Sequence, residues 1–256
     1  MAPENTLAAG MQAFEIGADG WELDVAMSAD GEPILLHDDT LERTSNGAQV
    51  FPDRQSWSVY DFTLDELKQL DFGSWFVESD PFEQAAQAKL SANDLKSYVG
   101  LPLTTLADAL QFTSDNQWWV NVEIKDASGT HADRVIVSKV VGLIDELAMQ
   151  DQVLISSFNH DYLRQVKTIN PAIATGALVN KVVADPVGLM RELNAQAFHP
   201  GKNVTYAKQV QELRAAGYGV NVWTVNEEAE MLELIAMGVT GIITDFPQNL
   251  KPIVQP

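Results

Sequence analysis

An α/β chain closed into a (β/α)8 barrel of the TIM type is the architecture this sequence predicts. From residue 118 onward, strand-like runs begin near Trp118, Val153, Ile173, Gln196, Gly219 and Gly241, with helical stretches filling the gaps. The spacing is close to one strand plus one helix, and no β-hairpin signal interrupts it, so the strands run parallel under a helical cover. Repetition of this unit within one domain favours a closed barrel over an open doubly wound sheet. No G-x-G-x-x-G loop opens a helix, which weighs against dinucleotide binding. The 256 residues suit a single domain spanning 1–256.

The elements follow in order. Asn5 or Thr6 caps a first helix with Leu7, Met11 and Phe14 on one side, ending near Gly17. A strand runs over Trp21–Ala26. The turn Ser28-Ala29-Asp30-Gly31 leads straight into Pro33–His37, without room for a helix. Residues 47–103 break the rhythm and form an insertion. Within it Thr63 to Leu70 reads as a short helix opened by the capping box T-L-D-E, and 77–99 as polar loop or helix. Insertions at a barrel's catalytic face shape its pocket. In the later half, Thr205 through Gly217 forms a helix with Val210 and Leu213 inward. Asn226 caps another with Met231, Leu232 and Ile235 on its apolar face, and Gly238 stops it.

Composition excludes several classes. With 36 acidic against 16 basic residues the formal charge is −20, a field that repels nucleic acid and anionic membrane surfaces. No apolar run approaches the roughly 20 residues of a membrane span, so no membrane insertion is expected. No basic and apolar leader is visible, which leaves a cytoplasmic location as the expectation. The chain has no cysteine, so disulfides and thiolate chemistry are ruled out.

The chemistry is concentrated at strand ends. Side chains alternate across a strand, so Glu22 and Asp24 share one face of W-E-L-D-V-A while Trp21, Leu23 and Val25 share the other. Asn121, Glu123 and Lys125 likewise share a face of V-N-V-E-I-K. The apolar sets face the helices, so the polar sets face the barrel axis. Two carboxylates about 4 Å apart repel by roughly 4 kcal/mol at an effective dielectric near 20. Three therefore call for a cation. With all-oxygen ligands and no cysteine, Mg²⁺ or Ca²⁺ fits better than zinc. His37 closes P-I-L-L-H-D-D beside this group. Plain structural roles compete: an exposed edge strand for Glu22 and Asp24, an internal ion pair for Glu123 and Lys125, a satisfied core position for His37. Phe158 and Trp223 read equally as core filling or as walls of a pocket. His131 and His160 are expected at the surface, while for His199, which ends a strand with Pro200, a plain structural place outweighs one lining the mouth.

Together these residues resemble the glycerophosphodiester phosphodiesterase family. The likeness covers nearly the whole chain: P-E-N-T at Pro3–Thr6, G-A-D-G-W-E-L-D-V at Gly17–Val25, H-D-D-T-L-E-R-T at His37–Thr44, and L-D-F-G-S-W-F at Leu70–Phe76. It continues through L-T-T-L at Leu103–Leu106, V-E-I-K at Val122–Lys125, S-S-F at Ser156–Phe158, V-W-T-V-N at Val222–Asn226 and G-I-I-T-D at Gly241–Asp245. The resemblance implies a barrel of the phospholipase-C-like phosphodiesterase type. It implies metal ligands at Glu22, Asp24 and Glu123, a catalytic histidine at His37, a phosphate-binding lysine at Lys125, and substrate contacts at Phe158 and Trp223. The implied reaction is metal-dependent hydrolysis of a small-molecule glycerophosphodiester to sn-glycerol 3-phosphate and an alcohol.

The sequence departs from the family at one place. The family pattern opens with a strand ending in His-Arg-Gly, a few residues before P-E-N-T, and no His-Arg pair occurs in this chain. Met1 stands where the loop from that strand would lie. The expectation is a missing first strand. Eight strand-like runs are already present, so a first strand would make nine, and one run, Pro33–His37 or its partner, is not a regular barrel strand. An alternative is a truncated or degenerate member that binds metal and phosphate without efficient turnover. A third reading is an unrelated metal-using barrel acting on sugars or carboxylic acids.

Overall fold

A computed structural model describes residues 2–87 and 89–254; Met1, Ala88 of the predicted insertion, and residues 255–256 lie outside the described residues. The strands are β1 (Trp21–Met27), β2 (Pro33–Leu35), β3 (Val120–Ile124), β4 (Val153–Ser157), β5 (Ala174–Val179), β6 (Ala197–Pro200), β7 (Gly219–Val222) and β8 (Gly241–Ile242). They form one curled sheet in the order β2-β1-β3-β4-β5-β6-β7-β8. All neighbours from β1 and β3 round to β8 are parallel, with helices packed outside, which is the TIM-type α/β arrangement. The suspected run is the irregular one. β2 pairs antiparallel with β1, Val25 opposite Leu35 and Met27 opposite Pro33, because the turn at Gly31 (φ +85°) sends the chain straight back. Among the described residues no strand joins β1 to β8, so the wall is open there.

Alternation decides which side chains face the axis. On the outer faces of β1 and β3, Leu23, Val25, Val120, Val122 and Ile124 are buried under the helices. Each such side chain contributes about 1.5–3 kcal/mol on burial. The inner faces carry Glu22, Asp24, Asn121 and Glu123, with Glu22 registered against Asn121 and Asp24 against Glu123.

The first helix, Leu7–Ile16, is capped by Thr6, whose side chain accepts the Ala9 N–H. Its expected apolar face is only partly used. Met11 is half exposed, and the buried position is Gly10, where an added Cβ would lie 2.8 Å from the Trp21 ring. The small residue lets the helix press on Trp21, which stacks on Trp118 with Phe112 edge-on to both. Residues 47–103 form the expected insertion. The Thr63–Glu66 capping box opens the helix Leu64–Leu67, and two more helices span Ser74–Ser79 and Ala92–Tyr98. Asp30 ties the insertion to the hairpin by accepting the Leu64 N–H at 2.9 Å.

Later helices match with two corrections. Ala207–Ala215 buries Val210 and Leu213 as expected. The helix Glu228–Met237 ends at Gly238 (φ +88°), but Asn226 does not cap it. The Asn226 amide instead donates to Asp245 and its oxygen accepts the Asp245 N–H, stitching the β7 and β8 loops together. This helix buries Met231 and Leu234, whereas Leu232 and Ile235 are exposed. Ile235 borders the opening beside β8, where no strand lies beneath it. No helix among the described residues is long and apolar enough to cross a membrane.

Candidate active site

Glu22 and Asp24 enter from β1 and Glu123 from β3. The pairing of Asp24 with Glu123 draws their carboxylates together, and one oxygen from each of the three residues lies within 4.8 Å of the others. Lys125, just past β3, points at the same spot. Its ammonium is 3.2 Å from Asp24 Oδ1 and 3.1 Å from Glu123 Oε1. The second contact is an ion pair by distance but not a well-aligned hydrogen bond, so buried Glu123 Oε1 lacks a proper donor.

One cation does not neutralise three acids. Glu22 keeps some surface toward a cleft, yet desolvation and then the Asp24 and Glu123 charges raise its pKa well above the ordinary carboxylate value. Burial and Asp24 raise Glu123 as well. Burial alone would lower Lys125, but Asp24 and Glu123 outweigh it and push its pKa upward. A buried acceptor without a donor, in a group of acids that resist ionising together, fits a hard divalent cation with oxygen ligands.

Asn5, from the P-E-N-T stretch, supports this cluster. Its amide donates to Asp24 Oδ2 and its oxygen accepts the Asp24 N–H, both at 2.9 Å. Asn5 holds a left-handed backbone (φ 54°), which asparagine tolerates better than most residues.

His37 follows the end of the hairpin and lines the same cleft as Glu22 and Asp24. The Leu36 N–H donates to Asp24 O at 3.1 Å, which seats His37 next to β1. His37 Nδ1 lies 2.7 Å from Asp38 Oδ1. Arg43 grips Asp38 through Nε at 2.6 Å and Nη2 at 2.9 Å, and turns its far edge to Glu4 at 2.8 and 2.6 Å. The Arg43 hydrogen bond, aided by His37, holds the Asp38 carboxyl down at about 2. Sequence reasoning offered Asn5 only as an alternative helix cap and assigned no role to Glu4, Asp38 or Arg43, although all four lie inside the motifs P-E-N-T and H-D-D-T-L-E-R-T.

A cleft of about 990 Å³ runs beside the cluster through the opening between β1 and β8. It is lined by Glu22, Asp24, His37, Arg43, Trp75 and Asp245 among others. Phe158 and Trp223 form an edge-to-face pair with centroids 5.4 Å apart. Both keep part of their surface open, but neither lines that cleft. His199 is not at the mouth. It is 1% exposed on the inner face of β6, with Nε2 2.9 Å from the Asn221 amide nitrogen, and burial lowers its pKa to about 4. His131 is exposed and His160 half-buried, the latter against Leu178 O.

The chain matches the profile of the Glycerophosphoryl diester phosphodiesterase family over residues 1–249. A glycerophosphodiester phosphodiesterase of Caldanaerobacter subterraneus subsp. tengcongensis is 34% identical over 253 residues, 99% of this chain and 93% of its own length. One from Bacillus subtilis (strain 168) is 31% identical, over 96% of this chain and 80% of its own. Among solved structures, an Oleispira antarctica phosphodiesterase in complex with the product sn-glycerol-3-phosphate aligns with a TM-score of 0.84 at 30% identity. That alignment covers 100% of this chain and 92% of the other.

Proposed function

Because this chain belongs to the glycerophosphoryl diester phosphodiesterase family, we propose that it hydrolyses glycerophosphodiesters to sn-glycerol 3-phosphate and an alcohol in a divalent-metal-dependent reaction. The observation that carries the proposal is the meeting of Glu22, Asp24 and Glu123 around the Lys125 ammonium. The product seen in the Oleispira antarctica relative supports the choice of substrate.

The three carboxylates would hold Mg²⁺ or Ca²⁺. When bound, the ion supplies Lewis-acid polarisation of a phosphoryl oxygen. The chain's own groups do the rest. Lys125 offers an ammonium, kept protonated by Asp24 and Glu123, to neutralise a non-bridging phosphate oxygen. His37 takes or delivers a proton at Nε2, because Nδ1 is engaged by Asp38. Asn5 keeps Asp24 turned to the cluster. The substrate contacts expected at Phe158 and Trp223 are left out of this scheme, because neither side chain lines the cleft beside the cluster.

A second reading is binding of metal and phosphate without efficient turnover. The clustered carboxylates and the Lys125 ammonium would by themselves suffice to hold a cation and a phosphate. Turnover of glycerophosphocholine, followed as release of sn-glycerol 3-phosphate with added Mg²⁺ or Ca²⁺, separates the two. Hydrolysis that chelation and Glu123→Gln abolish supports the enzyme. Saturable metal binding, sensitive to Glu123→Gln but without hydrolysis, supports the second reading. Failure of both metal binding and hydrolysis removes both.

A further inference from the structure

We propose that Asp38 is a positioning residue that fixes the tautomer and direction of the His37 ring, and that Arg43, braced by Glu4, fixes Asp38. This rests on the reading of His37 as the proton-transfer group.

The argument starts from the hydrogen-bonding inventory. An ionised carboxylate only accepts, so a neutral imidazole facing it must carry its proton on the facing nitrogen. Asp38 Oδ1 faces His37 Nδ1 at 2.7 Å, which puts the ring proton on Nδ1 and leaves Nε2 bare as a base. For this to hold, Asp38 must stay ionised and must not rotate. Arg43 meets both needs, because its Nε and Nη2 engage both Asp38 oxygens and leave one orientation in which Oδ1 still reaches His37.

Charge is balanced along the row. A lone carboxylate would set its full charge against the His37 ring. Arg43 offsets that charge, and Glu4 offsets Arg43, so the row Glu4–Arg43–Asp38 carries one net negative charge spread over three groups. Arg43 also lies over the Trp75 ring, 5.7 Å from its centroid, which limits its freedom on the open side. An ordinary surface ion pair contributes little to stability. The two-sided fork and its contact with a ring at the edge of the acidic cluster distinguish this one.

The test uses the full chain labelled with ¹⁵N-histidine, its His37 signal assigned from a His37→Gln variant. Long-range ¹H–¹⁵N correlation reads the tautomer without substrate, and kcat and KM for glycerophosphocholine at saturating Mg²⁺ read the consequence. The wild-type neutral ring is expected in the Nδ1–H form. Asp38→Asn and Asp38→Ala should shift it toward Nε2–H and lower kcat by roughly 10- to 100-fold with KM within about twofold. Arg43→Lys, which keeps the charge but loses the fork, should fall between them and wild type. If Asp38→Ala leaves the ring in the Nδ1–H form, or if the fall in kcat disappears once rates are normalised to folded protein, the proposal is overturned. A wild-type chain that hydrolyses nothing would overturn the phosphodiesterase reading instead, and the ring signal would still decide the role of Asp38.

Discussion

His199 shows how a single buried group should make stability depend on pH. Its folded pKa is about 4 against an ordinary 6.5, because burial disfavours the imidazolium. As pH falls, the unfolded chain binds this proton first. The contribution of the neutral ring is therefore complete above pH 6.5 and is lost between 6.5 and 4, by about 3 kcal/mol at most. Glu22 and Glu123 act with the opposite sign. Their raised values mean that the fold binds protons before the unfolded chain does, so they add stability as pH falls toward 4.5. The clean observable is a difference between two proteins. Urea unfolding of wild type and His199→Asn should show the wild-type advantage shrinking by about 2 kcal/mol between pH 7 and 4.5, and parallel curves would refute the assignment. The inward placement of Glu22 with Asp24 and of Glu123 with Lys125 was legible in the sequence, because period-two alternation puts each pair on one face of its strand. The fork of Arg43 between Glu4 and Asp38 was not. It joins positions 39 apart, and no local periodicity reports such a bond.

At the scale of elements, β1 is a strand with only one flank fully paired. Trp21 and Val25 bond toward β3, so alternation turns the main chain of Glu22 and Asp24 to the open side. There the Asp24 N–H is taken by the Asn5 side chain and its C=O by Leu36. Side-chain capping of an edge is one way a sheet avoids offering free donors. Asn5→Ala removes both the edge cap and a hydrogen bond to Asp24 Oδ2. A cost of about 1–3 kcal/mol is expected, with hydrogen exchange at the Asp24 amide rising while the Leu23 and Val25 amides stay protected. Unchanged protection at Asp24 would show that β1 does not depend on Asn5. The same opening explains where helix periodicity misleads. In the helix Glu228–Met237 the sequence pattern puts Ile235 on the buried face, but with no strand between β8 and β1 that face looks into the cleft. The hairpin, by contrast, was legible as irregular, since Asp30-Gly31 leaves no room for a helix.

At the scale of the whole molecule, the charge of −20 would work against the anionic phosphodiester proposed as substrate. Lys125 and the proposed cation would reverse the potential only within a few ångströms, whereas the long-range field remains negative and repels an approaching anion. Screening should relieve that repulsion, since the Debye length is about 10 Å at 0.1 M salt and about 3 Å at 1 M. Two phosphodiesters separate this effect from general salt sensitivity. Glycerophosphoglycerol carries one negative charge, whereas glycerophosphocholine is neutral overall because its ammonium offsets the phosphate. At saturating metal, raising NaCl from 20 to about 300 mM should increase kcat/KM for the monoanion roughly two- to fivefold and leave the zwitterion within twofold. A fall for both substrates would mean that salt acts on Lys125 or the metal cluster rather than on approach. In that case the surplus acid would be a solvated surface with no bearing on catalysis.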